Sequence, residues 1–197
     1  MQTLIYLHGF RSSSQSKKAI ALGAALQHVR ADWEYITPDL SFDPAVAFAQ
    51  IDSILLRQAR PAENITVVGS SLGGFYAAVT AEKFGCRAVL LNPSLQPDKT
   101  LAGYLGPQQN LYLDESFIFT TDHLATLREC AFDKITMPER FLVIVEMGDE
   151  LLNHQLTLTQ FAGAAQIVVT GGNHDLASFP MHLAALLRFA KCADSEI

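Results

Sequence analysis

Residues 65–78 (ITVVGSSLGGFYAA) are the strongest indicator of architecture in the sequence. The segment begins with four β-branched residues, which are typical of a buried strand, and ends in small and aromatic residues that suit a helix. Between the two halves, residues 69–73 (GSSLG) fit the pattern G-x-S-x-G with Ser71 in the serine position. This pattern indicates a nucleophile elbow, a sharp strand-to-helix turn that lifts a serine hydroxyl above the edge of a sheet.

The glycines and the helix each have a physical role in such a turn. The turn forces Ser71 into a strained backbone conformation, and side chains at Gly69 or Gly73 would collide with their neighbours. The helix that follows points its N-terminus at the serine, so backbone N–H groups are available to a negatively charged oxygen. A Gly- and Ser-rich turn without chemistry would fit the same five letters. The flanking strand and helix favour the elbow, because the motif requires that context.

Length and composition predict one α/β domain over residues 1–197. The chain is 49% hydrophobic with a formal net charge of −6, and 197 residues suffice for a substantial core. The acidic balance argues against nucleic acid as a partner, because phosphate binding needs a basic surface. The sequence has no apolar run of about twenty residues and no signal-peptide pattern, so we expect no membrane span and a cytoplasmic location.

The three cysteines are widely separated along the chain. Cys86, Cys130 and Cys192 form no C-x-x-C pattern and no Cys/His cluster at zinc spacing. We therefore expect buried or incidental thiols in a reducing compartment, with no disulfide framework and no metal site.

Apolar runs alternate with helix signals along the chain. Strands are predicted at residues 3–8, 33–37, 65–68, 86–91, 140–147 and 165–170, and helices at 16–29, 44–60, 72–84, 122–130, 150–161 and 176–191. This alternation predicts a mostly parallel six-stranded sheet with helices on both faces.

Residues 93–139 interrupt the alternation and are predicted as a short insertion after the fourth strand. The segment is longer than a normal crossover and contains the aromatic residues Tyr104, Tyr112, Phe117 and Phe119. We expect it to pack over the carboxyl edge of the sheet. Its aromatics fit either the lining of an acyl pocket or ordinary packing, and the sequence leaves both roles open.

Three loops that follow predicted strands supply a possible catalytic group. Functional side chains gather at the carboxyl ends of parallel strands, and Ser71, Asp149 and His174 each come directly after one. A serine nucleophile needs a base to remove its proton, and the base needs an acid to orient it. The order Ser, Asp, His is that of α/β-hydrolases. We predict Ser71 as nucleophile, His174 as base and Asp149 as acid.

Neighbouring residues offer alternatives for two of these roles. Among the six histidines, His174 lies in a Gly-rich turn that can bend toward Ser71, whereas for His8 we expect a structural hydrogen bond. Glu150 also has the reach to orient the imidazole. Asp149 is preferred because it lies in the tighter turn, and Glu150 favours the N-terminus of the next helix. For Asp175, adjacent to His174, we expect a helix cap.

The oxyanion that forms during acyl transfer needs two backbone donors. The N–H of Leu72, which follows the nucleophile, is one candidate. The N–H of Phe10, in the loop after the first strand, is the second, because Gly9 permits an unusual chain direction there.

Six segments carry a resemblance to a known family. LHGFRSSSQSKKA, GSSLGG, LLNPS, GYLG, GDELL and GGNHD resemble the YqiA-type small esterases of the α/β-hydrolase superfamily. The resemblance implies an α/β-hydrolase fold with strand order 2-1-3-4-5-6, without the first two strands of larger members. It also implies a serine esterase that uses Ser71, His174 and Asp149. The chain departs from it at Asn153, where an acidic residue is expected.

These observations predict a carboxylic ester hydrolase that forms a covalent acyl-enzyme. We expect an acyl ester or thioester as its small-molecule partner, acyl-CoA thioesters included, and no metal or organic cofactor. A non-catalytic binding protein of the same fold is the alternative. A nucleotide-binding module is disfavoured, because G-x-G-x-x-G requires glycine in place of Ser71 and no Gly-Lys-Ser/Thr follows. Acyl length, leaving group and oligomeric state are not predicted.

Overall fold

The computed structural model describes residues 1–29 and 32–191, which form alternating strands and helices. In chain order the elements are β1 (Gln2–Leu7), α1 (Lys17–Leu26), β2 (Trp33–Ile36), α2 (Pro44–Arg57), β3 (Ile65–Ser70), α3 (Leu72–Phe84), β4 (Arg87–Leu91), α4 (Pro97–Thr100), β5 (Gly106–Gln109), β6 (Ser116–Phe119), α5 (Thr121–Glu129), β7 (Phe141–Glu146), α6 (His154–Gln160), β8 (Ala165–Val169) and α7 (Phe179–Phe189).

A six-stranded parallel sheet forms the centre of the molecule. Its strand order is β2-β1-β3-β4-β7-β8, and each neighbouring pair is parallel. Counted among the six sheet strands alone, this is the order 2-1-3-4-5-6, so the predicted topology is confirmed. The carboxyl ends of all six strands therefore meet at one edge, which we call the carboxyl edge of the sheet.

The central strands are continuous apolar runs because helices cover both faces of the sheet. On one face, α1 and α7 pack over residues such as Leu4, Val68 and Ile144. On the other face, α2, α3 and α5 pack over the alternate residues of the same strands, among them Ile5 and Val143. The predicted helices on both faces are thus confirmed.

The helix ends follow the capping signals in the sequence. The Ser16 side chain accepts a hydrogen bond from the N–H of Ala19 at the start of α1. The Asp43 side chain does the same for α2, with Pro44 at the first helical position. Gly85 ends α3 in the left-handed conformation, with φ 73°.

The inserted segment contains a hairpin that the sequence did not predict. Strands β5 and β6 form a separate two-stranded antiparallel sheet, flanked by α4 and α5. Each strand has only four residues, and the first reads Gly-Pro-Gln-Gln, which lacks the β-branched residues that indicate a strand.

Two predicted helices begin later than expected. Helix α6 begins at His154 instead of residue 150, because Asn153 caps it by accepting a hydrogen bond from the N–H of Gln155. Helix α7 begins at Phe179 instead of residue 176, because Leu176 is in the left-handed region at φ 53°. The residue before α7 is Ser178, so the prediction that Asp175 caps this helix is wrong.

Cys86 is buried and Cys130 half-buried, and both are free thiols; Cys192 lies outside the described residues. Burial raises the pKa of Cys86 to about 12, which keeps this thiol protonated. Among the helices of residues 1–29 and 32–191, none has the length and apolar character needed to cross a membrane.

Candidate active site

Ser71 lies at a strained strand-to-helix turn between β3 and α3. Its backbone has φ 56° and ψ −118°, and its N–H donates to the carbonyl of Leu91 at 3.0 Å. A Cβ at Gly69 would lie 2.0 Å from the carbonyl oxygen of Gly73, and a Cβ at Gly73 would lie 2.0 Å from that of Leu7. The two glycines are therefore needed because the backbones of β3, the start of α3 and the end of β1 approach one another closely here.

The three side chains singled out in the sequence form one hydrogen-bonded chain. His174 Nε2 lies 3.0 Å from Ser71 Oγ, and His174 Nδ1 lies 2.9 Å from Asp149 Oδ2. With the Nδ1–H donating to the carboxylate, Nε2 is the free acceptor for the serine hydroxyl proton. The structure thus brings together residues 78 and 25 positions apart along the chain.

Asp149, and not its neighbour Glu150, contacts the imidazole. Only 2% of the Asp149 side chain is exposed, and its Oδ1 accepts hydrogen bonds from the N–H groups of Leu151 and Leu152, each at 2.9 Å. Glu150 is exposed and accepts from the backbone N–H of His174 at 3.0 Å. Hydrogen bonds from its own N–H and from that of His174 hold the pKa of Glu150 below its usual value.

The two predicted oxyanion donors border the same space as the serine. Phe10 and Leu72 line the cavity that contains Ser71 and His174. Within the described residues, no backbone or side-chain acceptor pairs with either N–H. A Cβ at Gly9 would lie 3.3 Å from the Cβ of Ser71, so glycine lets this loop approach the nucleophile.

His8 has a structural arrangement. Its Nδ1 lies 2.9 Å from the carbonyl oxygen of Gly9, and its Nε2 accepts from the N–H of Leu40 at 2.9 Å. Burial lowers the pKa of His8, and the contact with Gly9 only partly offsets this. A neutral imidazole at His8 therefore ties the loop after β1 to the loop after β2.

A cavity of about 790 Å³ opens in front of Ser71. Tyr104 and Tyr112 of the inserted segment line it, whereas Phe117 and Phe119 are buried against the Phe10 ring. These four aromatics thus divide between cavity lining and packing. The rest of the wall combines apolar residues with cations; it includes Leu101, Leu151, Leu152, Phe179, Arg11, Lys17 and Lys18.

Comparison with known proteins places the chain in a family. The model of an uncharacterised protein family, UPF0227, matches residues 3–191. The chain belongs to the UPF0227 family. A UPF0227 protein of Pectobacterium atrosepticum is 28% identical over 189 residues, which cover 94% of this chain and 97% of that protein.

Solved structures similar to this UPF0227 chain share its fold. Mouse α/β hydrolase domain-containing protein 10 superposes with a TM-score of 0.68 at 15% identity, covering 96% of this chain and 89% of the mouse chain. Est1E of Butyrivibrio proteoclasticus, with ferulic acid bound, gives 0.69 at 14% identity, covering 96% and 88%. The predicted α/β-hydrolase fold is confirmed.

The sequence reasoning missed two polar residues that hold the loop carrying His174. We call residues 171–178 the histidine loop. Glu146 and Asn92, at the ends of β7 and β4, both hydrogen-bond to it. The signal was present, because an acidic residue closes the apolar run RFLVIVE, where a buried carboxylate needs a specific partner.

In residues 1–29 and 32–191, no group of three or more His, Cys, Asp or Glu side chains is arranged to hold a metal ion. The candidate chemistry is that of Ser71, His174, Asp149 and the two backbone donors.

Proposed function

We propose that this UPF0227 chain is a serine hydrolase of carboxylic esters or thioesters. The hydrogen-bonded chain from Ser71 through His174 to Asp149 is the observation that supports it, because acyl transfer needs a nucleophile, base and orienting acid within hydrogen-bond reach. The α/β-hydrolase fold adds support, because proteins of this fold present a serine nucleophile at a strand-to-helix turn on the carboxyl edge of the sheet.

The first half of the reaction forms an acyl-enzyme. His174 Nε2 takes the hydroxyl proton as Ser71 Oγ attacks the acyl carbon, and the carbonyl π electrons move to oxygen. The N–H groups of Phe10 and Leu72 stabilise that oxyanion. As the tetrahedral intermediate collapses, the bond to the leaving alcohol or thiol breaks and His174 protonates the leaving group.

The second half regenerates the enzyme. A water molecule gives its proton to His174 Nε2 and attacks the acyl carbon, and the bond to Ser71 Oγ breaks as His174 returns the proton to the serine. The carboxylic acid then leaves. Throughout, Asp149 keeps Nδ1 protonated and offsets the positive charge of the imidazolium.

The walls of the cavity favour a substrate with an apolar acyl part. Leucine and aromatic side chains line the space beside Ser71, and a volume of about 790 Å³ is in the range of pockets for small molecules. Esters and thioesters fit the same reaction, because each has an acyl carbon and a leaving group that His174 can protonate.

Steady-state hydrolysis of p-nitrophenyl esters and acyl thioesters of graded chain length tests this function. We expect turnover by the wild type and a loss of at least about 10³-fold in kcat for Ser71→Ala, because the residual rate no longer involves a covalent path. Ser53→Ala, on the exposed side of α2, is the matched control. Unchanged turnover in Ser71→Ala would reject the mechanism, and wild-type inactivity on every substrate would favour a binding protein.

A further inference from the structure

Glu146 is a carboxylate with no exposed surface at the carboxyl edge of the sheet. It is the last residue of β7, three positions before Asp149, and its relative exposure is 0%. A buried carboxylate is costly unless hydrogen bonds satisfy it. The partners of Glu146 therefore indicate what the residue does.

All three backbone partners of its carboxylate belong to the histidine loop. Oε2 accepts from the N–H groups of Asn173 at 2.6 Å and Ala177 at 3.2 Å, and Oε1 accepts from the N–H of Ser178 at 2.7 Å. Burial opposes ionisation of Glu146, but these N–H groups and the Ser178 hydroxyl outweigh it and hold the pKa of Glu146 below its usual value. One ionised carboxylate thus holds the backbone on both sides of His174.

Asn92 joins the same arrangement from β4. Its Nδ2 donates to the carbonyl oxygens of Asn173 at 3.0 Å and His174 at 3.3 Å, and its Oδ1 accepts from the N–H of Glu146 at 2.9 Å. The backbone of Asn92 is in the left-handed region at φ 40°. The amide therefore binds the carbonyl side of the loop while the carboxylate binds the N–H side.

Gly172 leaves the space that this carboxylate occupies. A Cβ there would lie 2.0 Å from Glu146 Oε2, and its φ of 77° is itself unfavourable for other residues. The histidine loop therefore folds closely around the buried carboxylate.

We propose that Glu146 is a positioning residue that fixes the histidine loop so that the imidazole of His174 stays between Ser71 and Asp149. The inference depends on the proposed serine hydrolase function. It assigns Glu146 no contact with substrate, because its carboxylate is enclosed and its backbone partners lie in the loop.

A glutamine in place of Glu146 keeps the size of the side chain but not its bonding pattern. Three N–H groups converge on the two carboxylate oxygens. An amide offers one oxygen, and its NH₂ group would face at least one of these donors. The loop must then shift, and a displacement of about 1 Å in a catalytic group costs about 10²-fold in rate.

Other charged groups surround this site. Lys18 on α1 interacts electrostatically with both Glu146 and Asp175 of the histidine loop, and His182 on α7 lies 3.1 Å from the Ser178 hydroxyl. Each measurement is therefore made at one fixed pH in the range where the wild type is most active, so that titration of these groups does not enter the comparison.

Kinetics of Glu146→Gln test the role, with two controls on the same strand region. We expect kcat to fall by about 10- to 100-fold while KM changes by less than about threefold, because the acyl site is intact and only the base is displaced. Glu139→Gln, an exposed isosteric change at the other end of β7, should leave both constants unchanged. Val143→Ala, buried on the opposite face of β7, should lower Tm without lowering kcat. An unchanged kcat in a folded Glu146→Gln enzyme overturns the inference.

A double variant separates positioning from general damage. If Glu146 acts through His174, adding Glu146→Gln to His174→Ala should change the residual rate by less than about threefold, because the base is already absent. An equal loss in both backgrounds would overturn the inference. If Glu146→Gln does not fold, Asn92→Ser decides, with the same expected fall in kcat at unchanged KM.

Hydrogen exchange provides a readout that does not depend on activity. The amides of Asn173, Ala177 and Ser178 should be protected in the wild type and lose protection in Glu146→Gln, while peptides from β1 keep theirs. Unaltered protection would show that Glu146 does not hold the loop. Absence of wild-type turnover together with altered protection would instead reject the proposed hydrolase function.

Discussion

Left-handed backbone conformations at single residues concentrate around the candidate site. Of the five non-glycine residues with positive φ in the described chain, four follow strands at the carboxyl edge: Arg11, Ser71, Asn92 and Leu176. Such conformations persist only where surrounding contacts fix them. Ser71 was predictable because its flanking glycines are visible in the sequence. Asn92 and Leu176 were not, because distant hydrogen bonds and packing set their backbone angles.

The elbow glycines give a stability prediction. Gly73→Ala should lower the free energy of unfolding by at least about 1–3 kcal/mol, because the new methyl group would lie 2.0 Å from the carbonyl oxygen of Leu7. Chemical denaturation measures it. Gly103→Ala is the control, since nothing lies within 4 Å of a Cβ there. Equal stability of both variants would contradict the elbow packing.

The N–H of Phe10 gives a prediction about catalysis. Phe10→Pro removes this donor and should lower kcat by about 10²- to 10³-fold, the usual cost of losing one oxyanion contact. Phe10→Leu keeps the N–H while losing the ring, so it separates the donor from the packing. Similar kcat values in the two variants would argue against an oxyanion role for this N–H.

Among the larger elements, the β5–β6 hairpin fastens the loop that carries Phe10. Arg11 donates from Nε to the carbonyl of Gln109 at 3.1 Å and accepts at its own carbonyl from the N–H of Leu111 at 2.8 Å. The Phe10 ring lies edge-on to Phe119, with centroids 5.0 Å apart. The hairpin thus contacts the Phe10 loop through hydrogen bonds and ring packing, which supports a positioning role. Its strands escaped prediction because each has only four residues and β5, which reads Gly-Pro-Gln-Gln, resembles a loop.

Phe119→Leu tests this role of the hairpin. We expect kcat to fall by about three- to tenfold, because a looser contact lets the Phe10 N–H move relative to Ser71. Phe161→Leu is the matched control: its ring is also fully buried but contacts Phe132 and Phe141, far along the chain from the Phe10 loop. Equal kcat values for the two variants would mean that the hairpin does not position the donor.

Considered as one molecule, the chain uses a parallel sheet to bring the three candidate side chains together at one edge. Ser71 follows β3, Asp149 follows β7 and His174 follows β8, so the strand order and direction were enough to predict their meeting. The tighter turn at Asp149 already favoured it over Glu150 in the sequence, and the structure adds the contact of Asp149 with the imidazole and of Glu150 with the His174 backbone. The sequence marks Glu146 as an acidic residue that ends an apolar run, but the partners of Glu146 and Asn92 needed the structure, because they lie 27 to 82 positions away.

The stability of the fold should depend on pH through His8. Its pKa in the folded protein lies below the ordinary value of 6.5 because the side chain is buried. The unfolded chain therefore binds a proton first as the pH falls, and stability present above pH 6.5 is lost as the pH falls toward the folded pKa. Unfolding measured from pH 8 to about pH 5 should show this loss. The unfolding free energy should fall less steeply with pH in His8→Gln than in the wild type, whereas the exposed His28→Gln should match the wild type. Parallel slopes in the wild type and both variants would refute this role of His8.

Peptide mapping after reaction with a fluorophosphonate examines the Ser71–His174–Asp149 relay itself. We expect the phosphonyl group on Ser71 alone among the serines, with the labelling rate lowered by at least about 10³-fold in His174→Ala. Labelling spread over several serines, or an undiminished rate at Ser71 in His174→Ala, would contradict the relay.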